Sequence, residues 1–140
     1  MWIVYAFISA GLAAATAIFG KIGVKGVDST LATTLRALIM AVFLLPVAFF
    51  NGAFGKLTPA LFGSRVFLFI IFSAVAGALS WIFYFAALQN GSAGGVSAID
   101  RLSIVLVIIF ASIFLGEALT AKSALGALLI SVGAILILFK

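Results

Sequence analysis

Long uncharged runs constrain this chain more than any other feature. From Val66 to Ile99 no charged residue occurs for roughly 34 positions, and Met1 to Gly20 is also uncharged. A helix of about 20 apolar residues crosses the roughly 30 Å hydrocarbon core of a bilayer. The chain is 66% hydrophobic and 8% charged, so it has too few polar side chains to cover a surface that faces water. We therefore expect a lipid bilayer around it.

Turn-forming residues divide the apolar runs into five predicted spans. The connection 51–65 is rich in glycine, and the segment 89–92 interrupts the longest apolar run. Asp28 or Ser29 can cap the second helix, and Thr120 can cap the fifth. The sequence predicts an all-α integral membrane bundle, a single transmembrane domain over residues 1–140. Its helices are expected at about 2–20, 30–50, 66–88, 93–115 and 122–139.

The first run could also be a cleaved signal peptide, but two features favour a span. It has no positively charged start, and further spans follow it rather than a soluble body.

The composition excludes several function classes. The net charge is +5, but the basic residues are scattered singly between apolar runs and form no patch for nucleic acid. The chain has no cysteine and no histidine, and its only acidic residues are Asp28, Asp100 and Glu117. We therefore expect no disulfide, metal or other cofactor. An enzyme is not expected either, because no nucleophile and base are arranged for catalysis.

An acid and a base stand side by side within the fourth predicted span. Ser103 shares a helical face with Asp100, while Arg101 points about 100° away. If the helix begins at Ser97, Asp100 belongs to a capping pair and is structural. If it begins near Ala93, Asp100 lies roughly 10 Å inside the helix. The second start is favoured because the first leaves only about 19 residues to cross the bilayer. Mutual neutralisation of the two charges is the alternative to a functional role.

Other candidate binding residues are aromatic or basic. Tyr84 belongs to a stripe of small and polar residues in the third span, and Trp81 lies beside it. The stripe either packs against another helix or lines a cavity. Tyr5 lies on a similar stripe in the first span. Arg36 lies nearly two turns into the second span, where it either extends its head group to the interface or faces a cavity. Aromatic rings of this kind can form walls that hold a cation.

Three short motifs carry a family resemblance. The segment 80–88 ends the third span with aromatic residues before Ala87-Leu88, residues 99–103 read Ile-Asp-Arg-Leu-Ser, and residues 115–120 read Leu-Gly-Glu-Ala-Leu-Thr. In this order and spacing the chain resembles the EamA-type drug/metabolite transporter superfamily, in particular its five-helix, single-repeat members from bacteria and archaea. It departs from the family pattern at Ala98, where many members have proline, and at Ala86, where small members often have a basic residue.

The resemblance implies a transporter that works as a pair. Larger members hold two inverted five-helix repeats around a central path, so a single repeat needs a second copy to build one. The flanking basic residues are balanced, with Lys56, Arg65 and Lys122 on one side and Lys21, Lys25 and Lys140 on the other. The positive-inside rule then gives little orientation bias. We therefore expect dual topology and an antiparallel homodimer of ten helices.

These observations lead to one functional expectation and one alternative. The chain is expected to be a multi-pass efflux transporter of small organic metabolites or drugs in the plasma (inner) membrane of a prokaryote, working by alternating access. Asp100 would bind a cationic group or a coupling proton, with Arg101 orienting or neutralising it. The alternative is a membrane scaffold or accessory subunit that transports nothing itself.

Overall fold

The computed structural model describes residues 1–139, and these residues form helices and turns without a strand. Lys140, which the sequence predicts as an interfacial anchor, lies outside the described residues. Five helical segments are long and apolar enough to cross a membrane. The prediction of an all-helical chain with five spans is therefore confirmed.

The spans begin and end close to the turn signals in the sequence. The first three are α1 (Trp2–Gly23), α2 (Ser29–Phe50) and α4 (Arg65–Asn90). A 3₁₀ turn (Ala53–Lys56) and the short helix α3 (Pro59–Phe62) occupy the connection between α2 and α4. The last span is α7 (Ala121–Leu138).

The two side-chain caps that the sequence predicts are present at the starts of α2 and α7. The Asp28 carboxylate accepts hydrogen bonds from the backbone N–H groups of Thr30 and Leu31, each at 2.9 Å. The hydroxyl of Thr120 accepts from the N–H of Ser123, and the Ser123 hydroxyl accepts from the N–H of Thr120. Both predicted caps are confirmed, and each satisfies N–H groups that the first helical turn leaves without an intrahelical partner.

The fourth span, Ala93–Leu115, is one helix long and apolar enough to cross the membrane, but its hydrogen bonding changes along its length. It consists of α5 (Ala93–Asp100), α6 (Ser103–Phe110) and a π-helical turn (Ala111–Leu115). Between α5 and α6, Arg101 and Leu102 keep helical backbone angles in a tightened turn, which we call the break. At the break the backbone N–H groups bond to the carbonyl three residues earlier instead of four. One such bond runs from the Leu102 N–H to the Ile99 carbonyl, at 2.9 Å. The sequence predicts one continuous helix here. The sequence does not predict the break, because no proline or glycine lies between residues 96 and 115.

The start of α5 decides between the two accounts of Asp100. Ser92 is the N-cap, and its hydroxyl accepts a hydrogen bond from the Gly95 N–H at 3.1 Å. The helix therefore begins at Ala93 and not at Ser97. Asp100 lies seven residues further on, about 10 Å along the span at 1.5 Å per residue.

The surface of the chain is apolar on nearly all sides. In each span at most 11% of the most apolar window is buried within the protein, and large side chains such as Phe19, Phe69 and Phe83 are exposed. Contiguous apolar surface of this extent is not compatible with water. The spans must therefore be covered by lipid or by other protein.

The described chain divides into two compact units. In the first, which holds Met1–Lys21 and the chain from Ala87 onward, α5 and α6 pack on α7. The buried positions are small: Ala98 on α5, and Ala127 and Ala134 on α7. Small residues let helix backbones approach closely, which is how helices associate where water provides no driving force. The second unit, Ile22–Ala86, holds α2, α3 and most of α4.

A lysine joins two distant parts of the first unit. The Lys21 ammonium donates hydrogen bonds to the backbone carbonyls of Leu88, at 2.5 Å, and Gly91, at 2.7 Å. These carbonyls belong to the C-terminal end of α4 and the connection after it, where helical carbonyls lack intrahelical partners. The lysine therefore fixes the end of α1 to the point where the chain enters α5.

We expect Lys21→Met to destabilise the protein by about 2–4 kcal/mol, because it removes two hydrogen bonds from a charged donor. The control is Lys25→Met, which removes an equal charge from an exposed side chain in the next loop. Thermal unfolding in detergent measures both. Equal unfolding temperatures for the two variants would contradict the structural role of Lys21.

Candidate functional site

Asp100 lines an open groove of about 510 Å³ within the first unit. The groove runs along the break in the fourth span and one face of α7. We call it the Asp100 groove, and it is lined by Ile99, Asp100, Leu102, Ser103, Val105, Leu106 and Ser131. Asp100, Ser103 and Ser131 are the residues with polar side chains in a lining that is otherwise apolar. This composition is typical of small-molecule sites, in which a few polar groups orient the ligand.

The structure brings Asp100 and Ser103 together as the sequence predicts, and it adds Ser131. The Ser131 hydroxyl donates to the Ala127 carbonyl at 2.9 Å, which leaves its oxygen able to accept a hydrogen bond. Ser131 lies one turn after Ala127 on α7. Its proximity to Asp100 depends on how α7 packs, which no local pattern reveals.

Arg101 occupies the break itself. It is the residue after the end of α5, its side chain is exposed, and it does not line the Asp100 groove. Asp100 is also exposed, and within residues 1–139 the two side chains form no ion pair with each other. Neutralisation of Asp100 by its neighbour is therefore not built into the single chain.

A cluster of aromatic side chains surrounds Arg36 in the second unit. The central carbon of its guanidinium lies 3.5 Å from the centre of the Trp81 ring and 6.0 Å from that of Phe85. Trp81 contacts Tyr84 and Phe85 edge to face, with ring centres 5.2 and 5.3 Å apart. We call Arg36, Trp81, Tyr84 and Phe85 the aromatic cluster. Its rings attract the cation through their electron-rich faces, a contact worth about 0.5–2 kcal/mol.

The cluster shows what the Arg36 head group contacts. The sequence leaves Arg36 open between the membrane interface and a cavity, but the structure holds the guanidinium over Trp81. Phe85 is the member that sequence reasoning misses, and it is only 4% exposed. It lies one turn beyond Trp81 on α4, so the spacing of four residues is the signal that could have included it.

The remaining predicted residues lie outside these two groups. Tyr5 is in the first turns of α1, is 68% exposed and does not line the Asp100 groove. On the polar stripe of α4, Tyr84 is half-buried whereas Ser73 and Ser80 are exposed. Of the predicted site residues, Arg36, Trp81 and Tyr84 thus form one group, and Asp100 and Ser103 form the other.

The chemistry available to these groups is binding by charge and hydrogen bonds. Within residues 1–139 no group of three or more acidic, histidine or cysteine side chains could hold a metal ion. The Asp100 groove offers a negative charge with hydroxyl partners, and the aromatic cluster offers a positive charge with apolar walls. Charged and hydrogen-bonding groups in an apolar setting are those that orient polar small molecules in binding sites.

Comparison with known proteins places the chain among membrane transporters. The sequence matches the EamA-like transporter family over residues 1–139. It is 38% identical over 136 residues to a protein of Sinorhizobium sp described as "Uncharacterized transporter in cobO 3'region", a match that covers 97% of this chain and 95% of that protein. No solved structure matches the chain.

The Asp100 groove makes a geometric prediction. Cysteines introduced as Ser103→Cys and Ser131→Cys line the same groove, so a short bifunctional thiol reagent should join them in most molecules. The control pairs Ser103→Cys with Leu129→Cys, because position 129 lies about 200° around α7 from position 131. The native chain has no cysteine to interfere. Equal crosslinking of both pairs within one chain, read by mass spectrometry, would contradict the groove.

Proposed function

We propose, since the chain belongs to the EamA-like transporter family, that it carries small organic solutes across the plasma membrane of a prokaryote by alternating access. One observation carries the proposal more than any other. The helix of the fourth span tightens directly after Asp100, and the groove beside this break is lined by Asp100, Ser103 and Ser131. Many transporters place their substrate and ion sites where a span departs from regular helix.

The backbone of the fourth span supports movement at this point. A stretch of tightened, 3₁₀-type bonds within a helix often marks a hinge, and π-helical turns are frequent at functional sites. Both occur in this span, on either side of α6. In the proposed cycle, α6 changes its angle to α5 as the site becomes accessible from one side and then from the other.

Asp100 is the charge that we assign to this cycle. It binds either a cationic group of the solute or a coupling proton, and the Ser103 and Ser131 hydroxyls orient what it binds. Its depth supports the assignment, because a carboxylate about 10 Å inside an apolar span is expensive unless it has a role or a partner. Arg101 forms no ion pair with Asp100 within the described single chain, so it would orient or neutralise the Asp100 charge only once a second copy covers the site.

A homodimer would shield the charges of Asp100 and Arg101 from lipid. Asp100 and Arg101 are both exposed on the single chain, and exposure of such charges to acyl chains is unfavourable by several kcal/mol. A second copy in the opposite orientation would shield both and complete a ten-helix path, as inverted repeats do in other transporters. A foreign subunit could shield them equally well. Crosslinking in native membranes distinguishes the two: self-dimers support the proposal, and one foreign partner supports an accessory role.

We expect Asp100→Asn to abolish most solute-driven flux, because the amide keeps the shape of the carboxylate but neither its charge nor its capacity to carry a proton. Proteoliposomes loaded with a pH-sensitive dye are challenged with a panel of small organic cations, acids and zwitterions. Glu117→Gln is the matched control, since Glu117 is an exposed acid in the loop before α7 and should keep its flux. Full flux in Asp100→Asn would refute the assigned role.

Dual topology predicts that two populations coexist in the membrane. Thr58→Cys introduces a thiol into the exposed connection between α2 and α4, where the side chain makes no capping bond. In intact cells an impermeant thiol reagent should label about half of the chains, since the balanced basic residues favour neither orientation. Permeabilised cells should then label completely. If the reagent labels all of the chains, or none of them, in intact cells, the antiparallel dimer is contradicted.

A further inference from the structure

We propose that Arg36 binds an oxyanion, so that the transported solute carries a carboxylate or a phosphate group. This inference rests on the proposed function and adds the chemical class of its substrate. It concerns the second unit alone and does not depend on the role of Asp100.

The geometry leaves the hydrogen-bonding edge of Arg36 available. A guanidinium carbon 3.5 Å from the centre of the Trp81 ring must lie over the face of that ring, because an approach in the ring plane would collide with ring atoms. At this distance a guanidinium standing on edge would press its nitrogens into the ring, so its flat face lies toward Trp81. The five N–H donors point outward around its edge.

These donors have no partner within the described chain. Among residues 1–139 no acceptor takes a hydrogen bond from the Arg36 guanidinium, and no buried side-chain nitrogen or oxygen is left without a partner. The Arg36 nitrogens are therefore accessible from outside the protein rather than sealed in it. Accessible donors in an apolar setting favour a ligand with acceptor oxygens.

The acidic residues of the chain provide no counter-charge for Arg36 within residues 1–139. They are Asp28, Asp100 and Glu117. The Asp28 carboxylate is occupied by the N–H groups at the start of α2, and none of the three forms an ion pair with Arg36 within residues 1–139. A cation about 10 Å inside a span is costly without a counter-charge. A bound anion would supply it.

The Trp81 stack also argues against a side chain that only reaches for the interface. A snorkelling arginine extends its head group toward the nearer end of the helix. Here the head group stays over a ring that lies nine residues before the end of α4, about 13 Å at 1.5 Å per residue. Arginine held in this way presents a rigid fork, which matches the paired oxygens of a carboxylate or phosphate.

Two sources of such an oxyanion exist, a soluble solute and the phosphate of a lipid headgroup. They share the chemistry that Arg36 recognises, so the test must separate them.

Trp81 itself reports on the site. The chain has two tryptophans, and Trp2→Phe leaves Trp81 as the single fluorophore, stacked on Arg36. In lipid-free detergent micelles this variant is titrated with sodium acetate, sodium succinate and sodium phosphate. Sodium chloride and tetramethylammonium chloride at equal ionic strength are the controls. A parallel series adds phosphatidylglycerol or phosphatidylcholine to the micelles.

We expect a saturable change of Trp81 fluorescence with at least one of the three oxyanions and none with the chloride salts. Arg36→Gln should abolish it. Arg36→Lys keeps the charge without the fork, and should weaken binding about tenfold, the equivalent of one charge-assisted hydrogen bond. Arg65→Gln, which removes an exposed arginine at the start of α4, should leave the titration unchanged.

Three results would overturn the inference. One is the absence of a saturable response to all three oxyanions, and another is a response that persists undiminished in both Arg36 variants. A response confined to phosphatidylglycerol would assign the site to a lipid headgroup and refute its assignment to the solute. Failure here with intact Asp100-dependent flux would leave the proposed transport standing. An intact oxyanion response without any flux would refute transport alone.

Discussion

The energetic penalty of charge in hydrocarbon is the constraint on which the rest of this structure depends. Nearly every residue of the five spans is apolar, and each charge inside a span therefore requires a separate solution. Arg36 has an aromatic face from its own chain, with Trp81 at 3.5 Å. Asp100 and Arg101 have no such cover within the described residues. Because of this difference we propose that a second copy of the chain shields Asp100 and Arg101.

The same constraint explains why the fourth span is built differently from the others. Its packing partner is α7, and the contact uses small residues that let the helices approach closely. The helix tightens immediately after Asp100, at the position where a continuous apolar helix would serve a purely structural role better. A functional site is where such a departure from regular structure is expected.

Much of the fold follows from the sequence, because apolar run length and helix caps act locally. The five spans and the caps at Asp28 and Thr120 could be predicted in this way. The break after Asp100 could not, since its residues are ordinary helix formers and the change lies in backbone hydrogen bonding. The contact of Arg36 with Trp81 joins positions 45 residues apart. No periodic pattern encodes such a pairing, so the sequence could name both residues without joining them.

The chain belongs to a transporter family, and its charged residues within the spans must be shielded from lipid. If the account is right, the Asp100 groove is covered from lipid and reached by water. A nitroxide attached at Ser103→Cys in liposomes tests this through its relaxation by oxygen, which partitions into lipid, and by a water-soluble nickel chelate. The account predicts stronger relaxation by the nickel chelate than at Phe83→Cys, an exposed apolar position on α4. Relaxation dominated by oxygen at both positions would show that the groove faces acyl chains, and would contradict it.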